Sequence, residues 1–429
     1  KRGAPVDIGA LLYGYNQDIS SYGVSILHSS VARTLAGNSP MAYHLLPSED
    51  YLESTMGDAA HPVIRFSGAG YAKEAAAYGA TIANRVALDD FLLAKEGGRE
   101  KPEPDDIHSA EILNPVLIDY ANGVHATLDS WAPPEGIEII QIAGWGVDTV
   151  AGIDFYTLPA VGALAALEPV RTYRPIFTED GDGTVPVPSA LMMASSTDVR
   201  RYWINLESYF RDTSIRRDHK DLFEVPSLGS FIKNIIQNST STLPVYVSTD
   251  QPSSIVEKKK LTFFLHSPLT LELADASGNI TGLTEDDSIV QDIPGSTYSE
   301  FGEVKYVSVP GDGRYELTLR GQASGRFSLD MQESSGGVVT LSSTIANVPT
   351  TESTLASLTI SGGIETASPL SVDTDGDGVA EISLAPSPGE TVSYEPPEPE
   401  PLPEPEPEPA RTSSTRGGRR GGAHSGAPT

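Results

Sequence analysis

Hydrophobic positions recur along this chain in two different patterns, and the change falls near residue 240. Before it, helical and strand-like periods alternate. Ile137-Glu138-Ile139-Ile140-Gln141-Ile142 is a β-branched run that stops at Ala143-Gly144-Trp145-Gly146, as a buried parallel strand ends in a loop. Tyr202–Leu206 predicts a second strand, and Ala72–Leu93 predicts helix. Leu228–Gln237 carries Phe231, Ile232, Ile235 and Ile236 at the spacing of a helix packed on a sheet. Residues 1–239 therefore predict an α/β architecture.

From Thr240 to Tyr394 the strands become short and the turns frequent. Leu261–Leu265, Leu269–Leu273, Val304–Val309, Tyr315–Leu319 and Phe327–Met331 are separated by turn signals such as Pro310-Gly311-Asp312-Gly313. Tyr315-Glu316-Leu317-Thr318-Leu319 alternates apolar with polar, as a half-exposed antiparallel strand does. This region predicts an antiparallel β-sandwich large enough to fold alone. Residues 395–429 begin with Glu-Pro repeats and end rich in Gly, Ser and Arg. That composition predicts an extended, disordered tail.

Composition narrows the function classes. A net charge of −29 disfavours nucleic acid and anionic membrane surfaces as partners. Zero cysteines excludes disulfides, thiol catalysis and thiolate metal sites. No apolar run reaches the roughly 20 residues of a membrane-spanning helix.

The candidate chemistry lies in Asp180-Gly181-Asp182-Gly183-Thr184-Val185-Pro186 and in His219. A serine nucleophile needs a histidine base, and that base needs a carboxylate to fix its tautomer. In α/β-hydrolases these residues follow the order Ser, acid, His, with acid and His after late strands. Asp182 and His219 have the right types and order, on either side of the Tyr202–Leu206 strand. No serine has glycine both two before and two after it, so a nucleophile elbow is not found. His28, His44, His61, His108, His125, His266 and His424 read as ordinary surface or core residues.

Gly181–Pro186 with Ser189-Ala190, then His219 before Asp221-Leu222, resembles the carboxyl-terminal half of the lecithin:cholesterol acyltransferase-like α/β-hydrolases. Three further stretches add to the likeness: Gly3-Ala4-Pro5 with Gly9-Ala10-Leu11-Leu12, Asn38-Ser39-Pro40 leading to Leu45-Leu46-Pro47-Ser48, and Ile142–Thr149. The resemblance covers about residues 1–239. It implies a partial α/β-hydrolase domain with a cap insertion around residues 96–133, and an excursion from Asp148 to Phe177 towards a lipid site. It also implies Asp182 as triad acid, His219 as base, and ester hydrolysis or acyl transfer on lipid esters. The family's serine elbow and oxyanion loop would then lie upstream of Lys1, leaving the 429 residues inactive by themselves. The alternative expectation is a non-catalytic surface binding protein on a hydrolase-like scaffold.

Asp373-Thr374-Asp375-Gly376-Asp377-Gly378 resembles the start of a calcium loop, with Asp373, Asp375 and Asp377 as candidate ligands of a structural calcium ion. Glu381 stands at the ninth position, and Leu384 replaces the usual twelfth-position Glu. No cofactor is otherwise required. The β-region and tail suit a secreted or surface-displayed bacterial protein, with the tail a candidate for cell-surface attachment.

Overall fold

The computed structural model describes residues 3–15, 29–58, 61–96, 98–158, 170–193, 198–237, 242–253, 259–266, 268–286, 288–336 and 338–395. The tip of the Asp148–Phe177 excursion, His28, His424 and the tail from 396 lie outside them. Residues up to Glu395 form one compact unit.

The first part contains two small mixed sheets. In one, β1 (Ile64–Phe66) runs parallel to β3 (Thr149–Leu158), which pairs antiparallel with β4 (Val170–Thr178). In the other, β2 (Ile139–Trp145) runs parallel to β5 (Val199–Asn205), and β5 pairs antiparallel with the two-residue β6 (Val247–Ser248). The Ile-rich run is thus the expected parallel strand. Its two faces are used differently. Ile140 and Ile142 join Tyr202 and Ile204 under the helix Pro226–Ile236, where Leu228 and Phe231 are buried. Ala143 and Trp145 face the short helix Val187–Ala190.

The expected Ala72–Leu93 helix is two helices, Ala72–Tyr78 and Arg85–Leu92. Gly79 takes φ +93°, and residues 80–82 leave the helix to run beside β1 through Phe66 N–H to Ala80 and Ile82 N–H to Ile64. Strand pairing claimed backbone groups that helical propensity alone would have kept. Residues 96–133 contain the helix Pro115–Asp129, which buries Ile118, Ala121 and His125. His125 Nε2 meets the His44 carbonyl at 2.9 Å, which ties this segment to the helix Pro40–His44.

The β-rich region has two sheets. The outer, seven-stranded and antiparallel, has the order β10-β9-β8-β13-β16-β17-β18. The inner has the order β11-β12-β7-β14-β15-β19 and is antiparallel except for the β15–β19 pair. The outer strands are β8 (Leu269–Asp275), β9 (Ile280–Leu283), β10 (Ile289–Gln291), β13 (Arg314–Gly321), β16 (Leu355–Ser361), β17 (Leu370–Asp373) and β18 (Ile382–Leu384). The inner ones are β7 (Lys259–His266), β11 (Thr297–Phe301), β12 (Val304–Pro310), β14 (Gly325–Ser335), β15 (Val338–Thr350) and β19 (Thr391–Ser393). Leu261, Phe263 and Leu265 from β7 share one buried cluster with Leu271 from β8 and Leu317 from β13.

The change of pattern near 240 is a change of architecture, but it is not a gap in packing. Phe264, Phe301, Val304 and Tyr306 of the inner sheet belong to the same buried cluster as Tyr13, Phe155 and Tyr173. Phe301 lies so close to Gly9 that a Cβ there would come within 2.3 Å of its ring. Full burial of such aromatic side chains contributes about 1.5–3 kcal/mol each. Residues on both sides of 239/240 therefore contribute to a common core.

Candidate active site

The two candidate residues meet. His219 Nδ1 lies 2.8 Å from Asp182 Oδ2. β4 delivers the acid loop, residues 179–186, to the carboxyl end of β2. There Gly146 N–H donates to the Glu179 carbonyl at 2.9 Å and Val147 N–H to the Gly181 carbonyl at 3.2 Å. Thr149, fully buried, accepts from Gly183 N–H at 2.8 Å and donates to the Val147 carbonyl at 2.7 Å. Glycine is required at two neighbouring points. Gly183 has φ +95°, and a Cβ on Gly144 would stand 2.6 Å from the Asp182 Cβ.

Asp182 is 5 % exposed, and its Oδ1 accepts from Val185 N–H at 2.7 Å and Thr184 N–H at 3.2 Å. One carboxylate oxygen is thereby anchored on the loop's backbone and the other is presented to the imidazole. His219 opens the 3₁₀ turn His219–Glu224, whose start is set by a capping box: Asp218 accepts from Lys220 N–H and Asp221 accepts from Asp218 N–H. The imidazole itself is about half exposed. Such a pairing places the proton on Nδ1 and makes Nε2 the basic nitrogen.

The weaker sequence signals also converge. Ala4 N–H donates to the Leu45 carbonyl at 2.8 Å, and Gly3, at φ +82°, leaves no room for a Cβ beside Leu46. The hydroxyl of buried Ser189 donates to the Gly3 carbonyl. Ser189 is therefore a structural tie between these segments.

A cleft of about 960 Å³ lies beside the acid loop, but it is not the dyad's own pocket. Trp145, Trp203, Leu191 and Met192 line it, on the β2–β5 face opposite the one Gly144 presents to Asp182. His61, which sequence reasoning set aside, is buried at its acidic end. Its Nδ1 is 2.8 Å from Asp58 and its Nε2 is 3.4 Å from Asp180. Burial lowers its pKa, yet the hydrogen bonds and charges of Asp180 and Asp58 outweigh that and hold it above the ordinary histidine value.

His266 was likewise underread. With Tyr156, Arg174 and Asp330 it forms a buried polar network between β3–β4 and the inner sheet. Asp330 is 1 % exposed. Burial raises its pKa, but His266, Arg174 and Tyr156 reverse the effect and hold it far below the carboxylate range. His61 has one local partner, Asp58 three residues before it, but its second, Asp180, and the partners of His266 come from distant strands and loops.

The Asp373 loop brings ligand atoms of Asp373, Asp375, Asp377 and Glu381 within 4.8 Å of one another. Asp373 accepts from Gly376 N–H at 2.6 Å and Gly378 N–H at 2.8 Å, and Glu381 accepts from Thr374 N–H at 2.6 Å. These are hard oxygen donors suited to a divalent cation.

In comparisons with known proteins, no family model, curated protein or solved structure matches this chain. Among the described residues, no helix is long and apolar enough to cross a membrane.

Proposed function

We propose that this chain contributes the acid and base of a serine esterase, lipase or O-acyltransferase acting on lipid esters. In this reading residues 1–239 are part of an α/β-hydrolase domain with a cap insertion, and residues 240–394 are a β-sandwich. The observation that carries it is the 2.8 Å contact between His219 and a buried Asp182 whose other oxygen is fixed by backbone amides. His219 Nε2 would take the proton from a serine hydroxyl, and Asp182 would stabilise the imidazolium. The serine itself belongs to no Gly-x-Ser-x-Gly motif within these 429 residues. That observation favours one second reading, a non-catalytic surface binding protein.

A fluorophosphonate probe separates the two. On the enzyme reading we expect labelling of one serine, lost in His219→Ala, in any form of the protein that carries a nucleophile elbow, and no labelling of the 429 residues alone. Absence of labelling and of lipid ester turnover in both would leave the binding reading. We also propose that Asp373, Asp375 and Asp377, with Glu381, hold a structural calcium ion. Calcium should then raise Tm, and Asp375→Ala should abolish the rise. A secreted or surface location, with the tail as attachment, completes the proposal.

A further inference from the structure

Both loops that carry the dyad are tied to the β-rich region by cations, a part-buried Lys260 and a more exposed Arg216. On β7, Leu261, Phe263 and Leu265 face the core between the two sheets, so Lys260, Phe264 and His266 face the first region. Lys260 Nζ lies 2.6 Å from Asp148 Oδ1 and 2.8 Å from Glu179 Oε1. Glu179 opens the acid loop, and Asp148 lies between β2 and Thr149. The lysine therefore cross-links the two segments whose backbone bonds cradle Asp182. Burial favours neutral lysine, but the two carboxylates outweigh it and keep Lys260 charged. On the histidine side, Arg216, three residues before His219, donates through Nη2 to the Ser296 carbonyl at 2.5 Å.

We propose that Lys260 and Arg216 are positioning residues, through which the β-rich region sets the hydrogen bond between Asp182 and His219. Removing the Lys260 cation leaves Asp148 and Glu179 as like charges side by side, which separates the strand end from the acid loop and withdraws Asp182. Removing Arg216 frees the approach to His219. Neither residue touches the imidazole or the acid. Their effect is geometric, and the β-rich region becomes a working part of the site. This inference rests on the dyad reading, but its test reads the dyad's own hydrogen bond and needs no turnover.

The experiment is nitrogen-15 NMR of the histidine side chains in the full 429-residue chain. His219→Gln assigns the resonance and Asp182→Asn gives the value without the acid. In the unaltered protein we expect a downfield His219 Nδ1–H proton that is absent from Asp182→Asn. Lys260→Met should lose this proton or move it upfield, towards Asp182→Asn. Lys260→Arg should recover most of the signal, and Arg216→Met should give a smaller change in the same direction. If Lys260→Met does not fold, Glu179→Gln takes its place, because it removes one arm of the clamp without leaving an unpaired charge. A variant of either kind that only lowers Tm, with the His219 Nδ1–H proton unmoved, overturns the proposal. A downfield proton absent from the unaltered protein would instead overturn the dyad, whereas failure of lipid ester turnover alone would leave the positioning role standing.

Discussion

The two sheets of the β-rich region have similar strands and opposite surroundings. In the outer sheet, β13 buries Tyr315, Leu317 and Leu319 and exposes Glu316, so its sequence alternates. In the inner sheet, β7 is buried on both faces, and its sequence shows Lys-Lys-Leu-Thr-Phe-Phe-Leu-His with no simple period. A sheet with one wet face displays its register in its polar residues; a sheet covered twice hides it. The hidden face is the informative one. It carries Lys260 to the acid loop, Phe264 to the shared core and His266 to the Asp330 network.

The sharpest way to break this comparison is to uncover the inner sheet. A fragment of residues 242–395 exposes Phe264, Phe301 and Tyr306 and leaves Asp330 without Tyr156 and Arg174. We expect it to bind a hydrophobic dye and to lack the cooperative melting of the full chain. A soluble fragment with full-chain Tm would restore the independent domain that its strand pattern suggests.

Single substitutions sharpen the contrast. Asp330→Ala should cost about 3–5 kcal/mol in urea unfolding, because it removes the buried carboxylate shared by His266, Tyr156 and Arg174, of which Arg174 keeps only Asp154. Glu316→Ala on the wet face of β13 should stay within about 0.5 kcal/mol. Equal costs would mean that the inner network contributes no more than surface charge. Gly144→Ala should cost about 1–3 kcal/mol through overpacking, since the new Cβ would meet the Asp182 Cβ at 2.6 Å. It should also abolish the Asp182–His219 hydrogen bond, seen as loss of the Nδ1–H resonance.

The smallest effect concerns His61. Its pKa is raised in the folded protein, so its contribution to stability is complete below the unfolded value of about 6.5 and is lost as pH rises through the folded value. Melting temperature measured across that window should fall in the unaltered chain and change less in His61→Gln. Parallel curves would remove His61 from the account of the acid loop.

Much of the candidate site was legible because its signals are local. Asp182 sits between glycines that only a tight loop requires, and His219 comes after the β5 strand and opens a capped turn. β2 and β5 were each legible as apolar runs, although their parallel pairing was not. By contrast, Lys260 ends a run of three lysines that reads as solvated surface, and Arg216 sits in a charged cluster that reads the same way. Asp58 stands three residues before His61, but nothing near His61 announces Asp180, and nothing near His266 announces Asp330.

What the sequence determined by itself was the set of elements and the order of acid and base, since propensity, period and turn chemistry act within a few residues of each position. Tertiary structure alone decided which carboxylate meets which cation, which face of β7 is an interface, and that the two regions share one core. Those outcomes depend on groups more than a hundred residues apart: Asp148 lies 112 positions from Lys260, and Tyr156 lies 174 from Asp330. Chain packing brings them together, and burial makes their pairing obligatory.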